Sequence, residues 1–129
     1  MKVYFYSDFG YIVCAETTMG NTPMRVVINP VTVLKSNVTI AALGSAIFRS
    51  LEQSRNAQPV SRKEIDKYYF WQVSGIKGFA SFSKKFSCIT IREKGNVLYL
   101  SKLVREKDGS YTEPINQSPM EISANIAAE

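Results

Sequence analysis

The chain contains no histidine. That absence removes the usual general base at neutral pH. With it go Ser-His-Asp and Cys-His activation, every His-containing zinc site and the His-based acid–base pairs of metal-independent ribonucleases. Cysteine is scarce as well: Cys14 and Cys88 stand far apart, with no CxxC and no disulfide-dense spacing. Two isolated thiols cannot form an all-cysteine zinc site, and their apolar surroundings suit them to burial as free thiols in a reducing cytosol. No GxxxxGKS/T, GxGxxG or DxDxDG motif occurs, so neither a nucleotide nor a metal cofactor is expected.

What remains for catalysis is a carboxylate pair or a Lys/Tyr base. The 11 acids fall mostly in turns and on polar helix faces, so the expectation is a protein that is not an enzyme. No apolar run reaches the roughly 18 to 20 residues that cross a bilayer, and the opening Met1-Lys2-Val3-Tyr4 has no signal-peptide character. A cytoplasmic location away from membranes is therefore expected.

The 129 residues fit one domain, 45% apolar and 21% charged, in the range of ordinary globular chains. A domain this size buries roughly two-thirds of its unfolded surface, enough for a real core. The net charge is +5, which admits nucleic acid, an anionic surface or an acidic protein as partner without selecting among them. The basic residues are spread out and interrupted by acids, as on a solvated surface.

Lys2 to Tyr6 and Tyr11 to Ala15 are aromatic and β-branched, two short strands or one broken by a bend at Asp8-Phe9-Gly10. Thr17, Thr18, Gly20, Asn21 and Pro23 read as a loop, and Arg25 to Asn29 as a strand stopped by Pro30. From Asn37 the period changes. Ile40, Leu43, Ile47 and Leu51 mark an amphipathic helix capped by Ser36, Asn37 or Thr39 and ended by Gln58-Pro59. Gly44 inside it suggests a closely packed neighbour.

Ser61 and Glu64 have capping-box spacing, and Ile65, Tyr68, Tyr69 and Val73 predict a second helix to Ser74-Gly75. Phe79, Phe82 and Phe86 have helical spacing, although an irregular aromatic loop fits them equally. Ser87 to Glu93 alternates, and Lys94-Gly95-Asn96 turns it into Val97 to Val104, a hairpin. Asp108-Gly109 is a second turn, from which Ser110 to Glu113 returns as a third strand of the meander. Met120 onward reads as a last strand and a frayed helical turn. The simplest assembly is a single α+β domain, an antiparallel sheet with two or three helices packed on it.

Two surfaces are candidates for recognition. Tyr68-Tyr69-Phe70-Trp71 with Lys63, Lys67 and Lys77 has the composition of a single-strand nucleic-acid platform. Four consecutive aromatics on a helix point in different directions, however, so at least two belong in the core, with Trp71 as a buried anchor. The loop from Val104 to Tyr111 carries both signs of charge and a tyrosine at a hairpin tip. It is either a solvated turn or a recognition loop, since Arg and Tyr are enriched at binding hot spots.

Two stretches resemble the immunity proteins of bacterial contact-dependent growth inhibition systems. In Val33 to Arg55, Leu43-Gly44-Ser45-Ala46-Ile47, Leu51 and Ser54-Arg55 look like that family's leucine-glycine helix ending in a Ser-Arg pair. In Ile76 to Thr90, Phe79, Phe82 and Lys84-Lys85, followed by Ile89 and Ile91, resemble its aromatic-basic segment and next strand. Tyr69, Trp71 and the hairpin beyond extend the likeness over the greater part of the chain.

The resemblance implies an inhibitor that binds the C-terminal toxin domain of a cognate adhesin-like effector, commonly a nuclease and often tRNA-cleaving. It carries no shared binding motif, so the interface must be read from this chain. A basic inhibitor suits an acidic patch on its toxin. Loop position and mixed charge nominate Arg105, Lys107, Asp108, Tyr111 and Glu113, with Lys84 and Lys85, as toxin-binding residues. The competing reading is a small basic nucleic-acid-binding protein, whose affinity would fall steeply with salt.

Overall fold

The computed structural model describes residues 1–65, 69–115 and 117–123. Lys2–Tyr6 (β1) and Gly10–Cys14 (β2) form an antiparallel hairpin in register from Lys2 opposite Cys14 to Tyr6 opposite Gly10. The bend between them needs glycine. Gly10 has φ 121°, and a Cβ there would stand 2.1 Å from the carbonyl oxygen of Leu34.

Glu16–Thr18 (β3) pairs with Arg25–Val27 (β4) in a separate two-stranded sheet. Thr17 and Thr18, expected in a loop, are thus strand residues. Val60 holds the other side of β3, its N–H donating to the Thr18 carbonyl at 3.0 Å. Thr32–Leu34 (β5) adds to β2. This strand was not anticipated, because three residues beyond Pro30 are too few to show a period.

Ile40–Asn56 (α1) is the expected long helix, and Thr39 is its cap: the hydroxyl accepts the Ala42 N–H at 3.1 Å. Ala46, Ser50 and Leu51 are buried, with Leu43 and Ile47 half-buried, whereas Ile40 is 91% exposed at the first turn. Close packing at Gly44 is not found; a Cβ there would meet nothing within 4 Å.

Arg62–Ile65 (α2) is a single turn, with Glu64 Oε1 accepting the Ser61 backbone N–H at 3.5 Å, one half of a capping box, and the Ser61 hydroxyl at 3.1 Å. The second helix does not continue to Ser74. Tyr69 is extended, and Phe70–Ser74 is a 3-10 turn closed by Gly75 at φ 77°. The physical reason is the run of rings. Extended backbone at Tyr69 lets it stack on Trp71 (centroids 4.5 Å apart, 19° between planes) while Phe70 turns inward; residues two apart on an α-helix do not face each other. Tyr68 and Lys67 lie outside the described residues.

Phe79–Lys85 (α3) is helical, with Phe82 fully buried and stacked on Phe86 at 4.3 Å. Ser87–Lys94 (β6) and Val97–Lys102 (β7) form the predicted hairpin around Gly95-Asn96. The strand expected to run to Val104 ends at Lys102, because the chain turns at Leu103. There the N–H donates to the Cys88 carbonyl at 2.8 Å and the side chain enters the core. Val104–Arg105 (β8) then pairs with Tyr111–Thr112 (β9) as a second small sheet. The return strand therefore lies outside the meander, and Met120–Ser123 (β10) takes the place beside β7. The frayed turn expected after Asn125 lies outside the described residues.

The main sheet has the order β10-β7-β6-β1-β2-β5 with every pairing antiparallel. Alternation sends Tyr4, Ile12, Cys14 and Cys88 to one face, where Phe70, Phe82, Phe86 and Leu103 cover them. Val3, Val13, Ile91 and Leu98 go to the other, under Ala46 and Leu51 of α1. The result is the expected α+β domain, a six-stranded antiparallel sheet with helices packed on it. Gly10→Ala should cost at least about 2 kcal/mol in urea unfolding, since both φ and the Leu34 backbone forbid a side chain. A loss under about 0.5 kcal/mol would contradict the close approach.

Candidate binding cleft

The hairpin singled out from the sequence is fastened down. Arg105 Nε donates to the Ser83 hydroxyl at 2.9 Å and Nη2 to the Ala80 carbonyl at 3.3 Å, both on α3. The Tyr111 hydroxyl donates to the Phe86 carbonyl at 2.6 Å, and its ring packs on Tyr4 and Phe79. Burial pushes its phenol well above the usual range. At the tip, Asp108 Oδ1 accepts the Ser110 N–H at 2.9 Å and its hydroxyl at 2.6 Å, and these bonds hold the carboxyl below its ordinary value. Gly109 lies so close to α3 that a Cβ would meet the Ala80 Cα at 3.0 Å.

Arg105 and Tyr111 thus act as fasteners between the hairpin and α3. Glu113 pairs with Arg92, and both are exposed. Lys84, Lys85 and Lys107 are exposed as well, and none makes an ion pair among the described residues.

A larger feature lies on the same face of the sheet. β4 and Ile28 stand opposite the ring layer of Tyr69, Phe70, Trp71 and Phe79, and between them is a cleft of about 640 Å³ with Val60 and Glu64 on its border. At one end sit Lys2, Glu16 and Arg25, which also line a smaller cavity of about 210 Å³ together with Arg92, Tyr111 and Glu113. Two of the sequence-nominated residues, Tyr111 and Glu113, therefore line the smaller cavity and not the cleft. The ring wall is partly open: Tyr69 is 44% exposed and Trp71 half-buried, so Trp71 is less completely inside than the sequence reading had it.

Sequence reasoning missed Lys2, Glu16 and Arg25. Glu16 is 3% exposed, and a buried carboxylate survives only when paired. Lys2 Nζ lies 2.6 Å and the amino terminus 3.1 Å from its oxygens, and its backbone N–H donates to Ser54 Oγ at 2.9 Å. Burial alone would raise the carboxyl, but Lys2 and the amino terminus outweigh it and hold it below its ordinary value. The amino terminus is itself lowered by burial, against the pull of Glu16. An acid directly after the apolar run Tyr11 to Ala15 was the signal available. The two thiols are silent by contrast: burial pushes Cys14 far up and Cys88 up to about 12, so both stay protonated at neutral pH.

The fold and cleft define a small antiparallel α+β domain with a largely apolar groove. No group of three or more His, Cys, Asp or Glu among the described residues is placed to hold a metal ion. No helix among them is long and apolar enough to cross a membrane. No family model and no curated protein matches the chain. Among solved structures it is similar to a protein of unknown function, NMB0488, from Neisseria meningitidis. The TM-score is 0.67 at 13% identity, over 98% of this chain and 87% of that one. At that identity the likeness concerns the fold alone.

Two outcomes follow from these contacts. Because the folded Glu16 carboxyl lies below 4.5, its contribution is complete above that pH and lost as pH falls through the folded value. Glu16→Gln should cost about 3 kcal/mol near neutrality. Its urea-unfolding free energy should then fall less steeply than that of the natural chain between about pH 5 and about pH 3; parallel curves would contradict the pairing. Tyr111→Phe should cost about 1 kcal/mol, while Lys107→Ala should stay within about 0.5 kcal/mol. Equal losses would mean that the hydroxyl does not fasten the hairpin.

Proposed function

We propose that this chain is an immunity protein. It binds the C-terminal toxin domain of a cognate contact-dependent growth inhibition effector, a nuclease, and neutralises it in the cytoplasm of the producing cell without catalysing a reaction. The observation that carries the reading is the cleft, with Tyr69 and Trp71 stacked at its open side and Arg25 at its end. Trp, Tyr and Arg are the residue types that dominate binding energy at protein interfaces, where a partner buries them in well-packed pockets. The sequence resemblance over α1 and over the segment from Ile76 to Thr90 points to the same class. The exposed Lys84, Lys85 and Lys107 lie beyond the cleft and would supply steering toward an acidic partner surface.

The test is co-purification of the tagged chain from its native cell at about 0.3 M salt, where phosphate binding is largely screened. The expected result is one stoichiometric protein whose isolated C-terminal domain is toxic and is silenced by this chain. Recovery of nucleic acid alone, lost as salt rises, would replace the proposal with the nucleic-acid-binding alternative.

A further inference from the structure

The charged end of the cleft is unevenly committed. Glu16 is matched by Lys2 and the amino terminus. Glu64, at the border, is turned onto the Ser61 hydroxyl and backbone. Arg25 is exposed at the end of β4 and makes no ion pair among the described residues. It is a cation beside an apolar space, and Glu16, which lines the same cleft, is already balanced by other cations.

The space itself is of a size that takes a compact organic group; pockets of roughly 300 to 1,000 Å³ are typical of such sites. Its walls are Val26, Val27 and Ile28 on one side and the rings of Tyr69, Trp71 and Phe79 on the other. These walls reward an aromatic or branched aliphatic body, which meets ring edges and faces on one side and valine and isoleucine methyls on the other. A polar body would leave its hydrogen bonds unmade there. A carboxylate at the charged end would meet a guanidinium that makes no ion pair among the described residues, in the fork geometry Arg offers such groups.

We propose that the cleft receives a large apolar side chain of the partner protein together with an acidic residue adjacent to it in that partner's chain, whose carboxylate pairs with Arg25. The occupant is a protein segment because the inference rests on the protein-binding reading above. Its ligand chemistry follows from the cleft alone.

The chain contains one tryptophan, and it stands in the wall, so its indole N–H is a single NMR reporter of occupancy. The probe is the capped peptide acetyl-Gly-Phe-Glu-Gly-amide, titrated into the full chain beside versions with Gln for Glu and Ala for Phe. The acidic peptide should move the Trp71 indole signal and bind about threefold or more tighter than its Gln counterpart, the scale of one exposed ion pair. The Ala version should not move it. Arg25→Gln should erase the difference between Glu and Gln peptides and leave the remainder of the spectrum in place.

No movement at about 10 mM peptide, weak even by fragment standards, would overturn the proposal. So would equal affinity of the Glu and Gln peptides. Failure here with a stoichiometric toxic partner captured by co-purification removes the cleft and keeps the protein-binding reading. Peptide binding without any captured protein removes that reading instead, and the proposal with it.

Discussion

β1 and β2 stand inside the sheet and carry large side chains on both faces, Tyr4, Ile12 and Cys14 on one and Val3 and Val13 on the other. Antiparallel sheets commonly leave one face to water, but this pair cannot, since each large side chain gains roughly 1.5 to 3 kcal/mol from full burial. Both faces must be roofed. On the Val3 face one 17-residue helix, α1, is long enough to do so alone. On the Tyr4 face the roof is assembled from a 3-10 turn, the seven-residue α3 and a hairpin of two-residue strands. None of these is stable by itself in water. They hold because they are pinned to one another, ring on ring between Phe70, Phe79, Phe82 and Phe86, and by the Arg105 and Tyr111 bonds to α3 and the residue after it.

That difference between the two roofs explains the cleft. One continuous helix covers the Val3 face, whereas on the Tyr4 face short separate pieces do, and the cleft is the space between their ring layer and β4 of the two-stranded sheet. Its charged end has a related origin. Glu16 begins β3 where the chain leaves the sheet, and burial there is tolerable because Lys2 sits across from it and the amino terminus closes the other side. Both cations on Glu16 come from the first two residues of the chain. Arg25, on the next strand, is left to solvent and to whatever enters the cleft.

Where the sequence carried a local signal, the elements were legible. The alternation of Ser87 to Glu93, the 3.6-residue spacing of Leu43, Ile47 and Leu51, and the capping pair Ser61 and Glu64 all have counterparts in the structure. β5 was illegible because three residues carry no period, and the split at Tyr69 because ring packing overrode a helical pattern that was locally sound. The hairpin at Asp108-Gly109 was legible as a turn but not as a clasp, since the partners of Arg105 and Tyr111 stand 25 residues or so earlier, on α3 and at its end. The cleft draws on residues 2, 4, 16, 25 to 29, 60, 64, 69 to 71 and 79, so no single stretch could display it.

The layout also separates what holds the fold from what can meet a partner. Within the run Tyr69-Phe70-Trp71, Phe70 is buried on Tyr4 and Phe82, while Tyr69 on one side of it is nearly half exposed. In β4, Val27 packs against the core and Arg25 does not. Neighbouring positions in the same short element therefore answer to different constraints: changing Phe70 opens a core cavity and costs several kcal/mol, whereas Tyr69 and Arg25 are exposed and can change at little cost to the fold. Under the protein-binding proposal, this separation lets specificity move while the two roofs and the sheet between them stay in place.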